Sequence, residues 1–381
     1  MKFLVEILGM TNQCNLRCTY CDWKKEKQYK LTEEDKIKVK NNLKKIREML
    51  DVNYPDVQLI EYSGGETLLY PEIISYLCEI FSHKWIRIIS NGVLINKEII
   101  TVIHKHKKVF MAISLDGDCI EANRARFGNN EQLFGEVINN IDLLVKENIP
   151  VMILCTLSKF NIDFFPHYVQ FLEKKYDNAI DEGKFVMPTH YVTNYSEDNG
   201  VPSLEQVQKF KEFILNEGKN YKLVNRIMCH YESLIKYAEG KRKNYPCTIN
   251  EWNLSMHFRG NNIIDGGFLS FGCGMRGVME NGLFDLNDEK QIEEYLRIVS
   301  DEEYNAKFRN FIQDENIENA ETGINELNKD CDSKCFVDWT IIDYILNGYV
   351  EYESAKNWFV LFQDSTVENW VKQYNAINEK D

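Results

Sequence analysis

Six short runs rich in β-branched and aromatic residues recur through the first half of this 381-residue chain, at Phe3–Leu8, Val57–Tyr62, Trp85–Ile89, Val109–Leu115, Val151–Leu157 and Lys184–Met187. Runs of this length and make-up read as buried strands. Between them lie helix-like stretches near 32–50, 71–82, 96–107, 131–148 and 163–176. Thr32 followed by Glu33 and Glu34 suits a helix start, and Pro71 suits a first helical turn. Strands that alternate with helices pair in parallel through right-handed crossovers. The expected fold class is therefore α/β, and six such units over residues 1–200 would form a partial (β/α)6 parallel barrel or an open parallel sheet.

Beyond that the pattern changes. Residues 201–240 read as a helical linker, with Val207, Phe210, Phe213 and Ile214 on one face. Leu254–Phe258, a turn at Gly260-Asn261-Asn262 and a return from Ile263 to Cys273 predict a β-hairpin. It falls in a small α+β module over 241–340, followed by C-terminal helices over 341–381.

In parallel α/β architectures functional groups collect beyond the C-terminal ends of the strands. Each expected strand here ends in polar or small residues: Thr11 to Cys14, Ser63 to Glu66, Ser90 to Gly92, Ser114 to Gly117, Thr156, and His190 with Tyr191. The first of these ends carries Cys14, Cys18 and Cys21 within eight positions. Three thiolates in one loop suit an iron–sulfur cluster or zinc, and a structural zinc site wants a fourth ligand, which the loop does not place nearby. The chain has eleven cysteines but no secretion signal and no apolar run long enough to cross a membrane. That combination predicts a cytoplasmic protein whose cysteines serve metal or redox chemistry. A net charge of −14 argues against nucleic acid as a partner.

The sequence Cys14-Asn-Leu-Arg-Cys18-Thr-Tyr-Cys21 resembles the signature loop of the radical S-adenosylmethionine (SAM) superfamily, and Ser63-Gly64-Gly65-Glu66 resembles that family's glycine-rich contact to the methionine amino group. The resemblance implies a [4Fe–4S] cluster with one open iron, held by the three cysteines, and bound SAM. It implies SAM contacts at Tyr20, Gly64, Gly65, Glu66, Ser90, Asn91, Ser114 and Asp116. It also implies reductive cleavage of SAM to a 5′-deoxyadenosyl radical, with a flavodoxin or ferredoxin as electron donor. Physical chemistry is consistent: glycines allow close backbone approach, and a carboxylate suits a cationic amine.

Four more cysteines, Cys247, Cys273, Cys331 and Cys335, lie beyond the barrel. With the expected hairpin they resemble the twitch module, a shorter relative of SPASM, and imply a second, auxiliary [4Fe–4S] cluster. Enzymes with such modules often modify peptides or proteins, so a peptide-modifying maturase is the leading expectation, and a small-molecule dehydrogenase is the alternative. The barrel pattern begins at residue 3, leaving no room in this sequence for a leader-binding domain ahead of it. Ala122-Asn123 stands where sulfatase-maturating members show His-Asp. For substrate chemistry the candidates are His190, Tyr191 and Cys229. Cys78 and Cys155 are expected in the core.

Overall fold

The computed structural model describes residues 4–7, 11–21, 28–55, 57, 59–187, 189–191, 200, 202–224, 255–259, 268–271, 284–285, 287–300 and 372. The barrel strands fall where the apolar runs place them: β1 at Leu4–Ile7, β2 at Leu59–Tyr62, β3 at Trp85–Ser90, β4 at Val109–Ser114, β5 at Val151–Leu157 and β6 at Phe185–Val186. They stand side by side in chain order, each parallel to the next. Consecutive order with helical crossovers is the winding of a barrel rather than of a doubly wound sheet.

Helix starts carry the capping chemistry that their orphan amides require. Thr32 and Asp35 form a reciprocal capping box at α1 (Glu33–Asn53), Pro71 opens α2 (Pro71–Ile80), and Asn96 accepts from Glu98 and Ile99 at α3 (Lys97–Lys105). A short turn of helix, α4 (Arg124–Phe127), precedes α5 (Glu131–Lys146), which Asn130 caps. The next helix, α6 (Phe165–Asp181), runs five residues past its expected end, across a kink at Tyr176, whose ring stacks on Phe185 at 4.5 Å. Ser203 and Gln206 box the start of α7 (Leu204–Asn216).

The core lies between strands and helices. Ile60, Ile86, Ile88, Met111 and Ile153 join Leu43, Ile46, Leu77, Ile99, Ile141 and Leu172 in one buried cluster. Cys78 and Cys155 belong to it and are fully buried, as expected of free thiols that pack as small hydrophobes.

Two features of the sheet go beyond the sequence reading. The sixth strand is interrupted: β7 (Thr189–Tyr191) continues against β5 in the register that β6 begins, Val151 facing Phe185 and Cys155 facing Thr189. The sequence has Pro188 between the two pieces, a residue with no N–H for the ladder. The expected hairpin is also present, as β8 (Ser255–Arg259) antiparallel to β9 (Phe268–Phe271). Its first strand pairs in parallel with β1, Leu4 facing Ser255. The hairpin therefore prolongs the barrel sheet on the open side of β1, and β10 (Phe284–Asp285) ends that edge before helix α8 (Glu289–Ser300).

Candidate active site

The three-cysteine loop leaves β1 and is held at both ends. Thr11 donates its hydroxyl to the Tyr29 carbonyl at 3.0 Å and accepts the Gln13 N–H at 3.0 Å, which turns the chain towards Cys14. The Tyr70 hydroxyl donates to the Gln13 side chain at 2.5 Å and accepts from the Leu31 N–H at 2.9 Å. Further on, the Thr19 N–H donates to the Ala125 carbonyl at 2.8 Å, fastening the loop to α4.

The Gly64-Gly65-Glu66 segment lies directly against this loop. The Gly65 and Glu66 amides donate to the Thr11 and Gln13 carbonyls, both at 2.8 Å. A Cβ on Gly65 would sit 2.7 Å from the Gln13 carbonyl carbon and 2.8 Å from that of Asn12, both backbone. The close approach that this glycine permits is thus between two loops of the protein. Glu66 is 1% exposed. Its carboxylate accepts from the Leu68 N–H at 3.0 Å, the Ser90 hydroxyl at 2.8 Å and the Asn91 N–H at 2.8 Å. Burial pushes its pKa up, and these bonds act in the opposite direction.

Asn91 passes the chain of contacts on to the cysteines. Its side-chain amide donates to Asn15 at 2.7 Å and lies 3.8 Å from the Cys14 sulfur, which also accepts the Leu16 N–H at 3.4 Å. Ser114, at the end of β4, is half-buried, and among the described residues its hydroxyl has no hydrogen-bond partner.

Asp116 is the hub on the other side. Its carboxylate accepts the Tyr20 hydroxyl at 2.6 Å, Arg126 Nε and Nη2 at 3.2 Å each, and the Thr156 N–H at 2.9 Å. Asn123 accepts the Asp116 N–H and Asn161 donates to the Asp116 carbonyl. Arg126 is 8% exposed and Asp116 is 3% exposed. Burial alone would disfavour the guanidinium, but the adjacent carboxylate outweighs it and keeps Arg126 charged. The third nitrogen of that guanidinium, Nη1, lies 3.9 Å from the Cys18 sulfur.

Three free thiols, with N–H donors aimed at two of them, suit anionic sulfur ligands. Among the described residues no trio of His, Cys, Asp or Glu closes on a single ion. Three sulfurs on one loop suit a polynuclear cluster, in which each iron takes its own protein sulfur. Burial raises the Cys14 thiol and pushes Cys18 up to about 11, so loading metal there must release protons.

The structure gathers Cys14, Cys18, Cys21, Tyr20, Gly65, Glu66, Ser90, Asn91 and Asp116 at one end of the barrel. The backbones of His190 and Tyr191 form β7 on β5, while their side chains, together with Cys229, Cys247, Cys273, Cys331 and Cys335, lie outside the described residues. Sequence reasoning did not single out Arg126, Asn161 or Tyr70 for the site. An arginine ten residues after Asp116, behind a turn, was the one available sign of the first.

Residues 8–172 match the family model described as Radical SAM superfamily. Among curated relatives, Fe-coproporphyrin III synthase of Methanosarcina barkeri is 25% identical over 176 residues, 45% of this chain and 41% of that protein. The sporulation killing factor maturation protein SkfB of Bacillus subtilis is 29% identical over 163 residues, 41% of this chain and 36% of that protein. The chain thus spans less than half the length of both. Native anSMEcpe with bound AdoMet, a solved structure, shares the fold at a TM-score of 0.59 and 15% identity, covering 97% of this chain and 99% of that one. Residues 8–172, which contain the three-cysteine loop and the Glu66 and Asp116 networks around it, are a Radical SAM superfamily domain, of a superfamily whose members are iron–sulfur enzymes.

Proposed function

We propose that this protein cleaves SAM reductively at the Cys14/Cys18/Cys21 site and uses the resulting radical to modify a peptide or protein. The observation that carries the reading is the loop itself: three free thiols on a segment whose start is bonded to the Gly65 and Glu66 amides, with Asn91 aimed at the Cys14 sulfur and Arg126 at that of Cys18. A [4Fe–4S] cluster with SAM on its open iron would supply methionine and a 5′-deoxyadenosyl radical, given one electron from a flavodoxin or ferredoxin.

The chain's own residues do the rest. Cys14, Cys18 and Cys21 hold the cluster, and the Asn91 amide and Leu16 N–H stabilise the Cys14 thiolate. Ser114 offers an unengaged hydroxyl to the ribose side of SAM, while Tyr20, within the loop, bonds to Asp116, and Ser90 bonds to Glu66. Glu66 accepts three hydrogen bonds, from Leu68, Ser90 and Asn91, and keeps one acceptor direction for the methionyl ammonium. Asp116 has its acceptor directions filled by protein, so it serves SAM by fixing Tyr20 and Arg126. Cys247, Cys273, Cys331 and Cys335 would hold an auxiliary [4Fe–4S] cluster.

The peptide reading is supported by the likeness to SkfB, named as a maturation protein. A small-molecule substrate is the second reading, favoured by the likeness to a porphyrin-forming synthase. The test is anaerobic incubation of reconstituted protein with SAM, a reductant and a short peptide encoded beside its gene, followed by mass spectrometry. A cross-linked or oxidised peptide loses two hydrogens while 5′-deoxyadenosine accumulates. A peptide that stays unchanged, in mass and in stereochemistry, while SAM is consumed contradicts the peptide reading and leaves the small molecule.

A further inference from the structure

Most donors around the cysteine loop are neutral amides, but one is a cation. Arg126 Nη1 lies 3.9 Å from Cys18 Sγ, and no other charged donor is within hydrogen-bond reach of a loop sulfur among the described residues. The guanidinium has little freedom. Nε and Nη2 are clamped on Asp116 at 3.2 Å each, and its carbon stands 5.5 Å over the Tyr20 ring. The Thr19–Ala125 hydrogen bond fastens the cysteine loop to the helix that carries it. Asn123, Asn161 and the Thr156 N–H fix Asp116 in turn. The result is a buried ion pair whose guanidinium has Nη1 at the Cys18 sulfur and Nε and Nη2 on Asp116, where charges are weakly screened.

We infer that the Arg126–Asp116 pair sets the reduction potential of the cluster bound through Cys18, with Arg126 raising it and Asp116 restraining that rise. This rests on the cluster assignment above and deepens it. Reduction adds one negative charge to the cluster, supplied by the electron donor. A cation and an N–H donor at a ligand sulfur stabilise the reduced state, and a carboxylate behind the cation weakens its field. Both are positioning residues, because they act through Cys18 and touch no reacting atom.

The two charges make opposite predictions. In an EPR-monitored redox titration without SAM, R126Q loses the cation and leaves Asp116 uncompensated, so the potential falls. A fall of about tenfold in the reduction equilibrium, 59 mV for one electron, is expected. D116N keeps the cation and removes its counter-charge, so the potential rises. R126K keeps charge but loses the fork that grips Asp116, and its value lies between wild type and R126Q. The titration uses C247A/C273A/C331A/C335A protein as background, so that only one cluster reports. A purely structural role predicts that R126Q and D116N lose iron alike, with potentials that are unchanged or move in the same direction, and either result overturns the inference. If R126Q fails to assemble a cluster, D116N and R126K still have to move the potential in the stated directions, and if they do not, the inference is wrong. If wild-type protein binds no four-iron cluster on Cys14, Cys18 and Cys21, the functional reading itself fails, which is a distinguishable outcome.

Discussion

Glu66 is nearly inaccessible, yet it is the most connected carboxylate near the first cysteine. Its two oxygens serve three donors of fixed position, two of them backbone amides. An amide in its place must aim an N–H₂ group at one of those donors. Glu66→Gln therefore leaves a buried N–H unsatisfied, most directly that of Asn91, at a cost of about 1–3 kcal/mol. Urea denaturation of the metal-free protein would read that loss, and an unchanged midpoint would contradict the network. Asp116 differs in kind, because removing it would strand the buried Arg126 beside a thiol. At this scale the sequence was partly legible. The motif residues stood out by type and by position after a strand, but their duties did not. Asp116 reads as a turn residue before Gly117, and its partners Tyr20 and Thr156 lie 96 and 40 residues away. No local pattern announces contacts of that separation.

Among the elements, the cysteine loop and the Gly64–Glu66 loop fold as one unit. Two main-chain hydrogen bonds join them, and Gly65 has no room for a side chain against Asn12 and Gln13. Gly65→Ala must push backbone away from backbone. We expect it to lower the melting temperature and to cut the iron retained after reconstitution at least severalfold, with Gly135→Ala as a control, where an added methyl meets open space. Iron content equal to wild type in Gly65→Ala would contradict the interlock. The strands themselves were legible because they are buried on at least one face and their runs are β-branched: Ile86 and Ile88 of β3 show it, with Arg87 between them turned to the other face and paired with Glu61. What was not legible was the parallel pairing of β8 with β1. Hydrophobic patterning marks a strand but does not name its neighbour.

On the scale of the whole molecule, that pairing joins the hairpin to the barrel in one sheet. The hairpin reaches the barrel through β1, the strand whose exit carries Cys14. Cys247 and Cys273 flank the hairpin in sequence. Iron and sulfide analysis of anaerobically reconstituted protein should give about eight irons per chain, two four-iron clusters. About four would remove the auxiliary cluster from the account and leave the barrel site intact. Among the described residues no helix is long and apolar enough to cross a membrane.

In the function proposed above, Cys14, Cys18 and Cys21 together hold the centre that cleaves SAM. Its most direct test is the 5′-deoxyadenosine formed anaerobically, with reductant and without substrate, by wild-type protein and by the C14A/C18A/C21A variant. Wild-type protein is expected to form product and the variant none above background, whatever iron the other cysteines retain. Product from the triple variant, or none from wild-type protein that carries a reducible four-iron cluster, would contradict it.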